Sequence, residues 1–360
     1  MHASHPLVGD RPARGLLARI PGVLTALLLL AGLFAVPATA TPAFPHAPLD
    51  QSALLSQVVP GLVDINTTLS YQSAIGAGTG IILDPDGLVL TNNHVIEGAT
   101  AMTATSLANS QTYPIDVIGF DRDNDIALVR MRGAAGLPTA VIGTSSSVAV
   151  GDPIAAIGNA NGANSVPSYA PGHVTQLGAS VRATDESGGG ARQLYDLIRV
   201  AAEIRPGDSG GPLVNSAGQV VGVTVAATLT YRMGGVTGGE GFAIPIDRAM
   251  GIANQIRTGT PSPSIHLGDT AFIGVGIADT PMGRGGAMVR QVIPDTPARQ
   301  IGILGGDLIT AVDNTPINSA ADLSNVMDTR RPGDTIVLTW IDRAGNPRSA
   351  PLVLAKGPVG

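Results

Sequence analysis

The chain has 360 residues, 13% of them charged and 3% aromatic, with 47 Gly, 27 Pro, no Cys and a net charge of −6. This composition favours short strands and many turns over long helices, and the length accommodates two domains. The lack of cysteine excludes disulfides, thiolate metal sites and cysteine-linked lipid anchors, and without a basic block nothing points to nucleic acid.

Arg11, Arg14 and Arg19 precede an apolar run from Val23 to Val36, and Ala38-Thr39-Ala40 fits a small-x-small cleavage site. About 14 apolar residues fall short of the roughly 20 that span a bilayer. Residues 1–40 are therefore expected to be a cleavable signal peptide rather than a retained anchor, placing the protein outside the cytoplasm, secreted or in the envelope. Residues 41–58 are expected to form a flexible mature N-terminus.

Beyond Val59, apolar runs alternate with Gly, Asn, Asp and Pro. Val63–Asn66, Gly80–Leu83, Leu88–Thr91, Ile126–Met131, Pro153–Ile157 and Val220–Ala226 read as strands, with Asp84-Pro85-Asp86-Gly87 as a hairpin turn. Many short antiparallel strands predict a mainly β fold, a barrel or sandwich rather than a βαβ sheet. Apolar Ala249, Met250, Ala253 and Ile256 predict a helix over Asp247–Arg257, N-capped by Asp247 and followed by Gly259. That helix closes a first domain over residues 59–257. The Pro/Ser-rich stretch 258–268 reads as a linker with few contacts across it, and residues 269–356 as a second domain.

Gly207-Asp208-Ser209-Gly210-Gly211-Pro212 is the most informative string. A serine hydroxyl is a poor nucleophile unless a base takes its proton and donors hold the developing oxyanion. Glycines let the backbone turn so that the amides of Gly207 and Ser209 converge, which makes Gly207, Asp208 and Ser209 the candidate oxyanion-hole segment. Of six His, only His94 directly follows an apolar strand (Leu88-Val89-Leu90), where a general base is expected; His173 sits in a Pro-Gly stretch that reads as a loop. Asp125 touches the apolar run Ile126–Val129, whereas Asp121 and Asp123 sit further out in a polar turn. The carboxylate that orients a catalytic imidazole is usually buried, so Asp125 is preferred as the third member. The order His94, Asp125, Ser209 matches the chymotrypsin arrangement and excludes an α/β-hydrolase esterase, which needs its histidine last.

Thr91–Ile96, Asp125–Val129, Pro206–Leu213 and Gly241-Phe242-Ala243-Ile244-Pro245 together resemble the HtrA/Deg family of serine proteases. The resemblance implies a chymotrypsin-like double β-barrel followed by a PDZ domain. Asp208 stands where Asn is commoner in the family; the secreted actinobacterial PepA-like branch carries Asp there, and the chain resembles that branch. Phe272-Ile273-Gly274-Val275 is similar to the PDZ carboxylate-binding loop, implying that Ile273, Gly274 and Val275 receive a peptide's C-terminus. Gly302–Ile309 is similar to the PDZ Gly-Asp turn, and Ala320–Met327 reads as the helix flanking the groove. The implied partners are unfolded or damaged polypeptides and C-terminal peptides, with no cofactor or metal. Relatives are usually trimers held by N-terminal aromatics; Phe44 and Tyr71 are the residues available here.

The chain departs from the family before the serine, where Ala201-Ala202-Glu203-Ile204 replaces Asp-Ala-Ala-Ile. Glu203 could point outward, pair with an Arg or face a basic P1 side chain. Ile204 with the small Ala226 and Ala227 suggests a modest apolar substrate pocket suited to Ala or Val. No Ile-Val-Gly-Gly-like start follows the cleavage site, which argues against activation by trimming. The expected activity is that of a serine endopeptidase; the alternative is a non-proteolytic chaperone or scaffold in which the PDZ domain does the work.

Overall fold

The computed structural model describes residues 49–160, 166–184, 191–225, 239–260, 262–280 and 285–360. The predicted signal peptide, Phe44 and residues up to 48 lie outside the described residues. Helix α1 (Gln51–Val58) opens the described chain, with the Asp50 carboxylate accepting from the Ala53 N–H at 3.1 Å. The stretch expected to be flexible up to residue 58 is thus corrected over α1. Its physical basis is an Asp cap followed by Leu54 and Val58, an i, i+4 pair that is buried in the core.

Apolar alternation then closes into a first barrel of β1 (Leu62–Leu69), β2 (Ala74–Asp84), β3 (Leu88–Thr91), β4 (Ala101–Ser106), β5 (Thr112–Asp121) and β6 (Ile126–Met131). The order is β5-β4-β1-β2-β3-β6, and β5 pairs with β6 to close the ring. A helical turn, α2 (Asn93–Ile96), lies between β3 and β4. The second barrel comprises β7 (Pro153–Gly158), β8 (Ser168–Thr184), β9 (Ala191–Ala201), β10 (Pro212–Asn215), β11 (Val220–Val225) and β12 (Gly241–Pro245), closed in the order β10-β11-β12-β9-β8-β7. Leu62, Ile81 and Leu90 of the first barrel share one buried cluster with Ile157, Val223 and Ile244 of the second. Each such side chain contributes about 1.5–3 kcal/mol on burial, so the two barrels form a common core.

Helix α3 (Ile246–Thr258) seals that core with Ala249, Ile252, Ala253 and Ile256, and Gly259 ends it in the left-handed conformation at φ 66°. The expected N-cap is corrected: Pro245 occupies that position, and Asp247 lies inside the first turn. The Asp247 carboxylate reaches out instead, accepting from Thr144 Oγ1 at 2.9 Å and Ser146 N at 3.0 Å. Partial desolvation pushes this carboxyl up, but hydrogen bonds from Thr144, Ser145 and Ser146 outweigh it and leave the group below its ordinary pKa.

His173 is also corrected. It lies within β8, opposite Pro153 of β7 and Ala201 of β9. Pro171 and Gly172 mimic a loop signal, yet both are held in register by β7, opposite Ala155 and Ile154, and the register shifts of β8 against β9 come only after Val174.

After α3 the chain forms β13 (Ile265–Leu267), which adds to the first barrel against Gly119–Asp121 of β5. The following domain contains β14 (Ala271–Phe272), β15 (Val275–Asp279), β16 (Ala287–Val292), α4 (Pro297–Gln300), β17 (Leu308–Val312), β18 (Thr315–Pro316), α5 (Ala320–Asp328), β19 (Thr335–Ile341), β20 (Pro347–Val353) and β21 (Ala355–Lys356). Its sheet runs β15-β16-β17-β19-β20, which leaves β15 at the edge; β14 pairs with β21. Asp307, in the Gly-Asp turn, is buried and accepts from the Leu304 and Arg343 amides.

The expectation of few contacts across the linker is corrected. His266 in β13 is buried and stacks on Phe120 at 4.9 Å, and Ser264 Oγ donates to Asp121 at 3.0 Å. Arg122 grips Asp328 of α5 through two bonds of 2.5 and 2.9 Å, and Tyr71 stacks on Phe272 at 5.7 Å. Composition concealed this because strand pairing needs only backbone, which Pro/Ser-rich sequence still supplies. Among the described residues, no helix is long and apolar enough to cross a membrane. A chain ending after Ser264 loses β13, the stacks of His266 on Phe120 and of Tyr71 on Phe272, and the Arg122–Asp328 pair, so its thermal midpoint by circular dichroism should fall by about 5 °C or more relative to the full chain. An unchanged midpoint would show that the barrels are indifferent to β13.

Candidate active site

Three loops from different strand pairs meet at the junction of the barrels. Thr91 ends β3 and its hydroxyl donates to the Thr79 carbonyl of β2 at 2.8 Å, which fixes the start of α2. His94 sits in this turn with a side chain one-third exposed. Asp125 lies in the β5–β6 turn with 1% of its surface exposed, in the left-handed region at φ 54°, which Asp tolerates better than most residues.

His94 Nδ1 lies 2.7 Å from Asp125 Oδ2. The other oxygen, Oδ1, accepts from the His94 backbone N–H at 2.9 Å, and Asn92 Nδ2 donates to the Asp125 carbonyl at 2.8 Å. The competing carboxylates are placed differently: Asp121 is buried but accepts from Asn124 N, Asn124 Nδ2 and Ser264 Oγ, while Asp123 is exposed.

Ser209 is buried between β9 and β10 on the second barrel. Gly78 of β2 bridges the two barrels here: a Cβ on it would lie 2.6 Å from Val95 Cγ1, next to His94, and 3.2 Å from the Ser209 carbonyl. The serine loop is held by buried polar groups. Thr79 N donates to the Ser209 carbonyl at 2.8 Å and Thr79 Oγ1 to the Gly207 carbonyl at 2.8 Å. Thr224 Oγ1 and the Gly211 amide donate to the Asp208 carbonyl at 2.5 and 3.0 Å. Because a peptide unit is planar and trans, this turns the Ser209 N–H away from Thr224. Gly207 has φ 97°, and a Cβ there would meet the Asn159 carbonyl oxygen at 2.7 Å, so the close approach requires glycine.

The Asp208 side chain is buried and fully engaged. Oδ2 accepts from Arg205 N at 2.9 Å, and Oδ1 accepts from Ala160 N at 3.2 Å and from the Ser168 hydroxyl. These three donors come from the segment after β7, from the first residue of β8 and from the serine loop itself. Ile204 is half-buried against the second core of that barrel, with Gly241 pressed on it, whereas Glu203 is exposed. Ala226 and Ala227 lie outside the described residues.

Thr79, Ser168 and Thr224 carry no signal of their role in the sequence, since isolated Thr and Ser make no motif, and Asn92 lies in the Thr91–Ile96 motif without a role legible there. The one available signal was the alternation of Gly76, Gly78 and Gly80 around Thr79, which marks a close backbone approach. In the second domain, the Ile273 carbonyl accepts from Ala298 N at 2.8 Å and the Gly274 carbonyl from Ile293 N at 2.9 Å. Peptide planarity turns the Gly274 and Val275 amides away from those donors.

A trypsin-like peptidase domain profile matches residues 78–223 and a PDZ domain profile residues 271–352. Serine protease PepD of Mycobacterium tuberculosis is 36% identical over 337 residues, covering 89% of this chain and 70% of that protein. The chain belongs to the HtrA/Deg-type serine proteases, a family of serine endopeptidases. The putative serine protease HhoA of Synechocystis is 34% identical, over 70% of this chain and 64% of its own length. Protease Do-like 1 of Arabidopsis thaliana is 31% identical, over 73% of this chain and 60% of its own length. Among solved structures, a serine-to-alanine variant of the HtrA-type protease AlgW with a tripeptide superposes with a TM-score of 0.50 at 25% identity, covering 87% of this chain and 99% of that one.

Thr79→Val keeps the side-chain shape but removes the hydroxyl that holds the Gly207 carbonyl. Displacing an oxyanion donor costs up to about 10²–10³ in kcat, so Thr79→Val should lower kcat at least about tenfold, and Thr79→Ser should restore it. Steady-state kinetics on a peptide substrate read this directly, and an unchanged kcat in Thr79→Val would remove the Thr79 hydroxyl from the support of the loop.

Proposed function

We propose that the chain is a secreted or envelope endopeptidase that cleaves unfolded or damaged polypeptides through His94, Asp125 and Ser209. The observation that carries the reading is the 2.7 Å contact of His94 Nδ1 with a buried Asp125, beside the Gly-Asp-Ser-Gly-Gly loop. Asp125 accepts from Nδ1–H, which leaves Nε2 as the basic nitrogen. His94 takes the Ser209 proton as Oγ attacks the peptide carbonyl, and the amides of Gly207 and Ser209 hold the oxyanion. His94 then gives that proton to the leaving amine, and water, activated by the same imidazole, hydrolyses the acyl-enzyme. The half-buried Ile204 fits a small apolar side chain, Ala or Val, before the cut.

The extracytoplasmic location rests on the signal-like first 40 residues and on relatives named as probable periplasmic endoproteases. Ser209→Ala or His94→Ala should lower cleavage of casein by roughly 10⁴-fold or more without unfolding the chain. Casein activity within about tenfold of wild type in either variant would remove that residue from the mechanism.

The PDZ domain is assigned the capture of C-terminal peptides by β-augmentation at the edge strand β15, with the Gly274 and Val275 amides receiving the carboxylate. An apolar peptide ending in a free carboxylate should bind the full chain with Kd in the micromolar range, about −7 to −8 kcal/mol, and its C-terminal amide much more weakly. Calorimetry giving equal binding of acid and amide would leave the loop without that role.

A further inference from the structure

The PDZ domain does not end at its last strand. Beyond β21, Gly357 N donates to the Thr270 carbonyl at 2.9 Å, and a Cβ on Gly357 would lie 2.6 Å from Phe272 Cβ, so only glycine lets the chain pass this close. Two residues later, Val359 exchanges two backbone bonds with the first barrel. Its N–H donates to the Ala99 carbonyl at 3.0 Å, and its carbonyl accepts from Gly98 N at 2.5 Å. Its side chain is 8% exposed and belongs to the cluster that contains Val95, Ile96 and Ala99.

Val95 and Ile96 belong to the same helical turn as His94, and Gly98–Ala99 is the exit from that turn. A four-residue helix holds its shape only through what flanks it. The entry side is tied by Asn92 and by the His94 amide on Asp125. On the exit side the Glu97 amide closes the turn on Asn93, and the bonds to residue 359 follow at once.

We propose that residues 357–360 form a strap, with Val359 as a positioning residue that holds the His94 turn and keeps the imidazole aligned on Asp125. The inference rests on His94 being the base. It makes the PDZ domain part of the catalytic support through a segment that also braces Phe272, the first residue of the candidate carboxylate-binding loop. Loosening the exit of the turn weakens the His94–Asp125 contact, which disfavours the imidazolium and moves its titration to lower pH.

The test uses the full chain carrying Val359→Asp, Val359→Ala or Val359→Ile, with His94→Ala as the reference. Val359→Asp places a charge among the apolar residues under the turn; should it fail to fold, Val359→Ala is the variant read. The expected result is a fall in kcat of about tenfold with KM within about twofold, together with an acidic limb of the kcat/KM profile displaced downward by ~0.5 pH unit or more. Val359→Ile should retain wild-type values. A wild-type kcat, or a lower melting temperature with kcat loss but an unmoved acidic limb, would reduce residue 359 to a purely structural contact. Retained activity in His94→Ala would instead overturn the underlying assignment of the base, so the two failures are distinguishable.

Discussion

A buried carboxylate is costly unless donors surround it, and the contact between Asp125 and His94 is the constraint around which the cleft is organised. Asp125 has 1% of its surface exposed, and its two oxygens take the His94 ring and the His94 amide. The same residue therefore receives the imidazole and fixes the backbone from which it projects. Neighbouring groups each hold one part of this pair: Asn92 ties the Asp125 carbonyl, Asp121 shapes the turn through Asn124, and Thr91 locks the end of β3 to β2.

A second buried carboxylate, Asp208, organises the other half of the site by the same logic. Its donors are Ser168 Oγ and the Ala160 and Arg205 amides, none of them cationic. Thr79 joins the halves, because one residue of β2 bonds the carbonyls of both Gly207 and Ser209 while receiving Thr91. The cleft is thus a seam between barrels that share a core, and an error in the packing of either is felt at the serine loop.

The PDZ domain is tied to the first barrel through β13, the Arg122–Asp328 pair and the Tyr71–Phe272 stack. The Arg122–Asp328 pair is about 30% exposed on each side, where solvent screening keeps an ion pair worth little by itself. Its value lies in position, three residues before Asp125. Contacts of this kind join the PDZ domain to the barrel that carries His94 and Asp125.

Most strands of the first barrel's floor, the closing helix and the serine, histidine and aspartate candidates were legible in the sequence, because apolar alternation and Gly-rich motifs are local signals. The polar strands β4 and β5 and the bulged β8 were not, since β4 and the start of β5 carry no apolar run, and Pro171 and Gly172 read as turn formers until neighbouring strands accept them. Nor were α1, β13 and the segment 357–360, whose short sequences are decided by what they pack against. The sequence by itself determined the family, the residue types at the site and their order along the chain. Only the tertiary structure decided which carboxylate meets His94, that Thr79, Ser168 and Thr224 hold the serine loop, and that the linker joins the barrel, because hydrogen bonds between different elements, 16 to 143 positions apart, leave no periodicity to read.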